Sequence, residues 1–226
     1  MVDLVIFDCD GVLIDSEVIA GRVHAAELAA CGFPVNAADI VQRFVGIRDR
    51  DMYQVLEREH GRPLPPGYNA RAKARIAELY RSELKAIAGV AAALEAIHLP
   101  VCVASSSSPE KLELGLGLVG LWERFAPHVF SARQVARGKP APDLFLFAAE
   151  RMGVAPERAL VIEDSVAGVT AARAAGMTAF GFCGGAHCGP GHDEGLIAAG
   201  ASLVFADMAR LPALIEDLAA SRRTGT

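Results

Sequence analysis

Apolar positions in this chain fall into short unbroken runs separated by longer segments of helical period. Leu4 to Phe7 is such a run, bounded by Asp3 and Asp8, and it reads as a fully buried strand. From Glu17 to Cys31 the pattern turns helical, with Gly32 as a stop signal. Asp39 to His60 continues as helix. The segment GRPLPPG at 61–67 is a loop. Ala70 to Ala86 is helical again, with Arg71, Lys73, Arg75, Glu78, Arg81 and Glu83 on wetted faces. No strand candidate lies between residues 17 and 87, which makes an all-helical block.

After Gly89 the rhythm changes. Residues 100–104 (PVCVA) read as a strand, and Ser108-Pro109 opens a helix as a cap followed by proline in the first turn. His128 to Ser131 reads as a short strand and Pro142 to Met152 as a helix. Ala159 to Ile162 is a strand, and Ser165 caps a helix running to Gly176. Thr178 to Phe182 and Ser202 to Phe205 are strands. Met208 to Ala220 is a last helix, followed by a polar tail (SRRTGT) expected to fray. Strands alternating with helices imply a doubly wound parallel sheet, so the fold class is α/β and Rossmann-like. One strand precedes the helical block and the others follow it. The expected organisation is therefore a core of residues 1–14 and 88–226 with a small all-helical cap, 15–87, inserted into it. The crossings near 15 and 88 are its expected hinges.

Composition narrows this picture in a few places. Hydrophobic residues are 52% of the 226 and aromatics only 6%, as suits helices packed on a buried parallel sheet. The net charge of -5 argues against a nucleic-acid partner. The longest uncharged stretch, Ala174 to His192, holds six glycines and a proline, so no membrane span is expected. Five scattered cysteines and the absence of a basic leader read as reduced thiols in a cytoplasmic protein. A monomer or weak homodimer is expected.

Candidate chemistry comes from the polar residues after each strand, because ligands of such sheets bind at the carboxyl ends of the strands. Asp8 and Asp10 follow the first. Ser105 follows PVCVA, with Ser106, Ser107 and Ser108 behind it. Lys139 follows the short strand in GKPAPD, and Glu163 and Asp164 follow the strand ending at Ile162. Carboxylates converging on one point call for a hard cation, and oxygen ligands favour Mg²⁺. A phosphate monoester repels a carboxylate nucleophile, and Mg²⁺ with Lys139 would offset that charge. Asp8 would attack phosphorus, Asp10 would serve as general acid and base, and Ser105 would hold phosphate oxygens. Asp164 with Glu163 would complete the metal site.

FDCDGVL, VASSS, GKPAPD and VIEDSVAG, in this order, resemble the four motifs of the haloacid-dehalogenase superfamily, and the helical insert resembles the cap of its β-phosphoglucomutase-like subfamily. The resemblance implies Asp8 as nucleophile, Asp10 as acid/base, Ser105 as phosphate ligand and Lys139 as charge neutraliser. It also implies Mg²⁺ held by Asp8, the backbone carbonyl of Asp10, and Asp164, with Glu163 either at the metal or behind it. Mutases of the subfamily carry a histidine shortly after a DSE-like stretch. Here Asp15-Ser16-Glu17 is followed by Val18-Ile19-Ala20-Gly21 and His24 comes a turn late, which favours a phosphatase over a phosphomutase. The FDCDG opening, DSEVI, RFVGIRDRD, EHG and SELKAI are most similar to 6-phosphogluconate phosphatases. The expected partner is a small phosphorylated metabolite, a sugar or sugar-acid phosphate such as 6-phosphogluconate.

Within the insert, Gly46 and Arg48 of FVGIRDRD are candidates to reach over the site, with Ser106 and Ser107 as further substrate contacts; a guanidinium there suits a second anionic group. A receiver-like phospho-acceptor domain also uses Asp, Mg²⁺ and Lys, but its acceptor normally follows an internal strand and it has no large helical insert. His187, Cys188 and His192 in GGAHCGPGH match no familiar zinc spacing and read as a glycine-rich surface loop.

Overall fold

The computed structural model describes residues 2–224, with side chains to Ser221. Six strands form one parallel sheet: β1 (Leu4–Phe7), β2 (Val101–Ser105), β3 (Val129–Ser131), β4 (Ala159–Glu163), β5 (Thr178–Phe182) and β6 (Leu203–Phe205). Their order is β3-β2-β1-β4-β5-β6. The helices are α1 (Glu17–Ala30), α2 (Ala37–Phe44), α3 (Asp49–His60), α4 (Tyr68–Glu83), α5 (Val90–Ala96), α6 (Pro109–Leu118), α7 (Trp122–Phe125), α8 (Asp143–Met152), α9 (Val166–Ala174), α10 (His192–Ala198) and α11 (Leu211–Thr224). No helix among the described residues is long and apolar enough to cross a membrane.

The unbroken apolar runs follow from burial on both faces of the sheet. Alternate residues divide between two cores, as the two-residue period of a strand requires. Val5, Phe7, Val101, Val103, Leu160 and Ile162 pack on one face. Leu4, Ile6, Cys102, Ala104, Ala159 and Val161 pack on the other. A third core, including Leu28, Phe33, Leu56, Tyr68 and Tyr80, holds α1 to α4 together. The two chain crossings run side by side: Ile87 N–H donates to Leu13 O at 3.0 Å, and Asp15 N–H to Lys85 O at 2.9 Å.

Three local expectations need correction. The helix expected over Asp39 to His60 is broken into α2 and α3. Gly46 sits between them at φ 80°, a left-handed conformation that ends a helix and that side-chain-bearing residues rarely adopt. Additional helices, α5, α7 and α10, occupy short segments whose apolar pattern predicts no helix. The last helix, expected to end at Ala220, extends to Thr224; 225 and 226 lie outside the described residues.

Candidate active site

The order of strands reverses at β1, whose neighbours are β2 on one side and β4 on the other. Such a reversal opens a crevice at the carboxyl ends of the strands. Register does the rest. Phe7 pairs with Ile162, and the Asp8 amide donates to Ile162 O at 2.9 Å. Asp8 therefore leaves β1 next to where Glu163 and Asp164 leave β4. One oxygen of each of the three carboxylates falls within 4.8 Å of the others, and all three residues are buried.

Lys139 reaches this cluster from the loop after β3. Its Nζ donates to Glu163 Oε1 at 2.6 Å and to Ala104 O at 3.0 Å. It lies 3.1 Å from Asp8 Oδ1, as an ion pair outside hydrogen-bond geometry. Glu163 is used up locally, since its Oε2 also accepts from the Ser165 amide at 2.9 Å and the Ser165 hydroxyl at 2.8 Å. Asp8 Oδ1 and both oxygens of Asp164 are buried and accept no hydrogen bond. Burial pushes the pKa of Asp8 up despite Lys139, and burial followed by Glu163 does the same for Asp164. Burial works against the Lys139 ammonium, but Asp8 and Glu163 outweigh it and raise its pKa. Lys139 lies beside Asp8 Oδ1 and His187 Nε2 beside Asp164 Oδ2, but three buried carboxylates outnumber the one ammonium, and an oxygen-seeking divalent cation fits the excess charge.

Asp10 has different surroundings. Its Oδ1 accepts from Ser16 at 2.5 Å and Tyr80 at 3.4 Å and lies 3.0 Å from Lys111 Nζ, while Oδ2 accepts from Ser107. Burial raises its pKa, but Lys111 and the hydroxyls of Ser107 and Ser16 together hold it below the ordinary carboxylate value. Two aspartates two residues apart are thus driven in opposite directions. Ser105 is buried at the end of β2, and its Oγ accepts from the Ser107 amide at 3.2 Å.

Ser106 donates not into the crevice but to Gly46 O, at 2.7 Å. Arg48 is held by Asp51, through Nε at 2.6 Å and the terminal nitrogen at 3.2 Å, and packs against Gly138. Between the helical insert and the strand ends lies a cavity of about 820 Å³. Asp8, Asp10 and Ser105 line one part of it, and Gly46, Arg48, Arg50, Lys73 and Arg133 line others.

Sequence reasoning missed Lys111, Tyr80 and Glu17. Lys111 had a readable signal: a cation in the first turn of α6 opposes the helix dipole and calls for a nearby anion. Glu17, in the cavity wall, has its pKa pushed up to about 8, by burial first and then by Asp10. The loop after β5 is exposed at Gly184, Ala186 and Gly189 to Gly191, as expected of a surface loop, but one of its side chains needs correction. His187 does not stand at the surface; its side chain is wholly buried, with Nε2 2.9 Å from Asp164 Oδ2. His192 Nε2 lies 2.6 Å from Asp164 O. Long-range packing against Asp164 decided this, and local composition could not reveal it.

Comparison with known proteins adds an independent line. The profile of the haloacid dehalogenase-like hydrolases matches residues 2–176. The 6-phosphogluconate phosphatase of Escherichia coli K12 is 35% identical over 190 residues, covering 84% of this chain and 86% of that one. The crystal structure of a conserved haloacid dehalogenase-like protein of unknown function from Agrobacterium tumefaciens C58 superposes with a TM-score of 0.84 at 40% identity, covering 97% of this chain and 100% of that one. A haloacid dehalogenase family hydrolase of Deinococcus radiodurans R1, solved with bound phosphate and sodium, gives 0.73 at 35% identity, covering 96% of each chain.

Proposed function

This chain belongs to the haloacid dehalogenase-like hydrolases and is a phosphatase, and from that premise we propose that it hydrolyses a sugar or sugar-acid phosphate through an aspartyl-phosphate on Asp8. The observation that carries the reading is the buried carboxylate pair Asp8 and Asp164, with Lys139 3.1 Å from Asp8 Oδ1 and with Asp164 Oδ1 accepting no hydrogen bond. Asp8, the backbone carbonyl of Asp10 and Asp164 would hold Mg²⁺, with Glu163 engaged behind them by Lys139 and Ser165. When bound, the cation supplies positive charge that offsets phosphate–carboxylate repulsion.

The chain's own residues then divide the work. Asp8 attacks phosphorus; the phosphorus–oxygen bond to the leaving group breaks, and the departing alkoxide takes a proton from Asp10. Phosphate charge approaching Asp10 raises its depressed pKa, which favours the protonated form needed for that step. Asp10, now ionised, accepts a proton from water as that water cleaves the acyl phosphate, freeing inorganic phosphate and restoring Asp8. Ser105 and Ser107 line the path of the phosphoryl group, with Lys139 beside Asp8 as fixed counter-charge.

The insert, residues 15–87, acts as a cap that opens and closes about its two crossings and excludes water when shut. Gly46 and Arg48 form its inner edge. Arg48, Arg50, Lys73 and Arg133 line the cavity alongside Glu17, Asp49 and Glu110, and such cations suit a second anionic group, such as the carboxylate of 6-phosphogluconate, the substrate named for the Escherichia coli relative. The test is phosphate release from a panel of sugar, sugar-acid and nucleotide phosphates with Mg²⁺ and no bisphosphate activator. Preference for phosphorylated sugar acids is expected. Isomerisation of a sugar phosphate that requires a bisphosphate would overturn hydrolysis in favour of a mutase.

A further inference from the structure

The loop after β5 and the first residue of α10 carry three side chains that this hydrolysis does not use. His187, Cys188 and His192 each offer a donor atom, and those three atoms lie within 4.8 Å of one another. Cys188 Sγ is 3.4 Å from His187 Nε2. The two imidazoles meet edge to face with centroids 5.4 Å apart. A tetrahedral zinc ion bonds thiolate at about 2.3 Å and imidazole at about 2.0–2.1 Å, which sets those two ligand atoms about 3.5 Å apart. The spacing of Sγ and Nε2 already matches that separation.

Packing holds these groups in place. The His187 ring has no solvent exposure. It fits against Gly11, where a Cβ would come within 2.7 Å of His187 Cε1 and 1.8 Å of Asp164 Oδ2. His192 is anchored by Nε2 to the Asp164 carbonyl, the kind of hydrogen bond by which metal-ligating histidines fix their second ring nitrogen. The Ala186 amide donates to Asp15 Oδ1 at 3.1 Å and ties the loop to the start of the insert.

We propose that His187, Cys188 and His192 form a second cation site, selective for a zinc-class ion over magnesium and adjoining the carboxylate cluster at Asp164. Two imidazoles and a thiolate are the donors such ions prefer, whereas magnesium prefers oxygen. Asp164 Oδ2, beside His187 Nε2, is within reach as a fourth ligand. Binding exchanges the Cys188 thiol proton for the ion, and that proton passes to solvent.

Equilibrium dialysis of the full-length protein against zinc, with magnesium in excess, tests the site. One zinc per chain is expected to remain bound. Cobalt(II) in its place is expected to show a sulfur-to-cobalt charge-transfer band in the near ultraviolet. Cys188→Ser should abolish that band and weaken zinc binding by roughly tenfold or more, and His192→Asn should weaken it similarly. Both variants should still release phosphate in zinc-free buffer, which shows that they are folded. Zinc affinity unchanged in both variants, or a cobalt complex without the sulfur band, would overturn the site and place the ion on the carboxylates.

Discussion

The hydroxyl of Ser106, just past β2, donates to the carbonyl oxygen of Gly46 at 2.7 Å and fastens the α2–α3 turn of the insert to the core. That turn has little room. Gly46 has φ 80°, and a Cβ on it would lie 2.1 Å from Ser165 Oγ. Ser165 in turn caps α9 and holds Glu163. Gly46→Ala is therefore expected to displace the insert from the strand ends and lower kcat/KM by about 10²-fold. Steady-state kinetics beside thermal melting would separate this from general unfolding, and unchanged kinetics would remove the turn from the site.

Asp8→Asn keeps the shape of the side chain and removes its nucleophilic charge. The expected loss of kcat is at least about 10³-fold, with circular dichroism unchanged. Phosphate release near the wild-type rate would eliminate Asp8 as the attacking group.

Lys139→Met leaves Asp8 and Glu163 buried without their counter-charge. Removing one partner of a buried ion cluster typically costs about 3–5 kcal/mol. Urea denaturation of cation-free protein should show a loss of that order. A loss below about 1 kcal/mol would mean the two carboxylates are already compensated by other groups.

Glu17 makes a pH prediction. Its pKa is pushed up to about 8 in the folded protein, against an ordinary value of 4.5. The folded state thus holds this proton more tightly than the unfolded state. Its contribution is greatest below the ordinary value and is lost as pH rises toward 8. Glu17→Gln removes the penalty of ionisation. In chelator, the variant should gain stability over wild type as pH rises from 5 to above 8. Parallel melting curves across that range would show that Glu17 ionises freely.

Much of this protein is legible without its fold. The buried strands are apolar runs because both faces of a parallel sheet are covered. The candidate residues Asp8, Ser105, Lys139, Glu163 and Asp164 could be found because each lies at the carboxyl end of a strand or in the loop after it, at the edge where such sheets bind ligands. Local chemistry also marked the caps at Ser108 and Ser165, whose hydroxyls accept from amides three residues on.

Tertiary structure decided what those residues experience. Asp8 and Asp10 are chemically identical and two residues apart, yet burial raises one pKa while Lys111, Ser107 and Ser16 lower the other. The donors come from β2's far loop, from α6 and from the start of the insert, so no local pattern could assign them. Gly46 breaking a helix, Glu17 turned into the cavity wall and His187 buried against Asp164 have the same origin. The residues and their order along the strands belong to the sequence. Which carboxylate is paired, which is left bare and which loop closes over them depend on long-range packing, because burial and neighbouring charge exist only once distant segments meet.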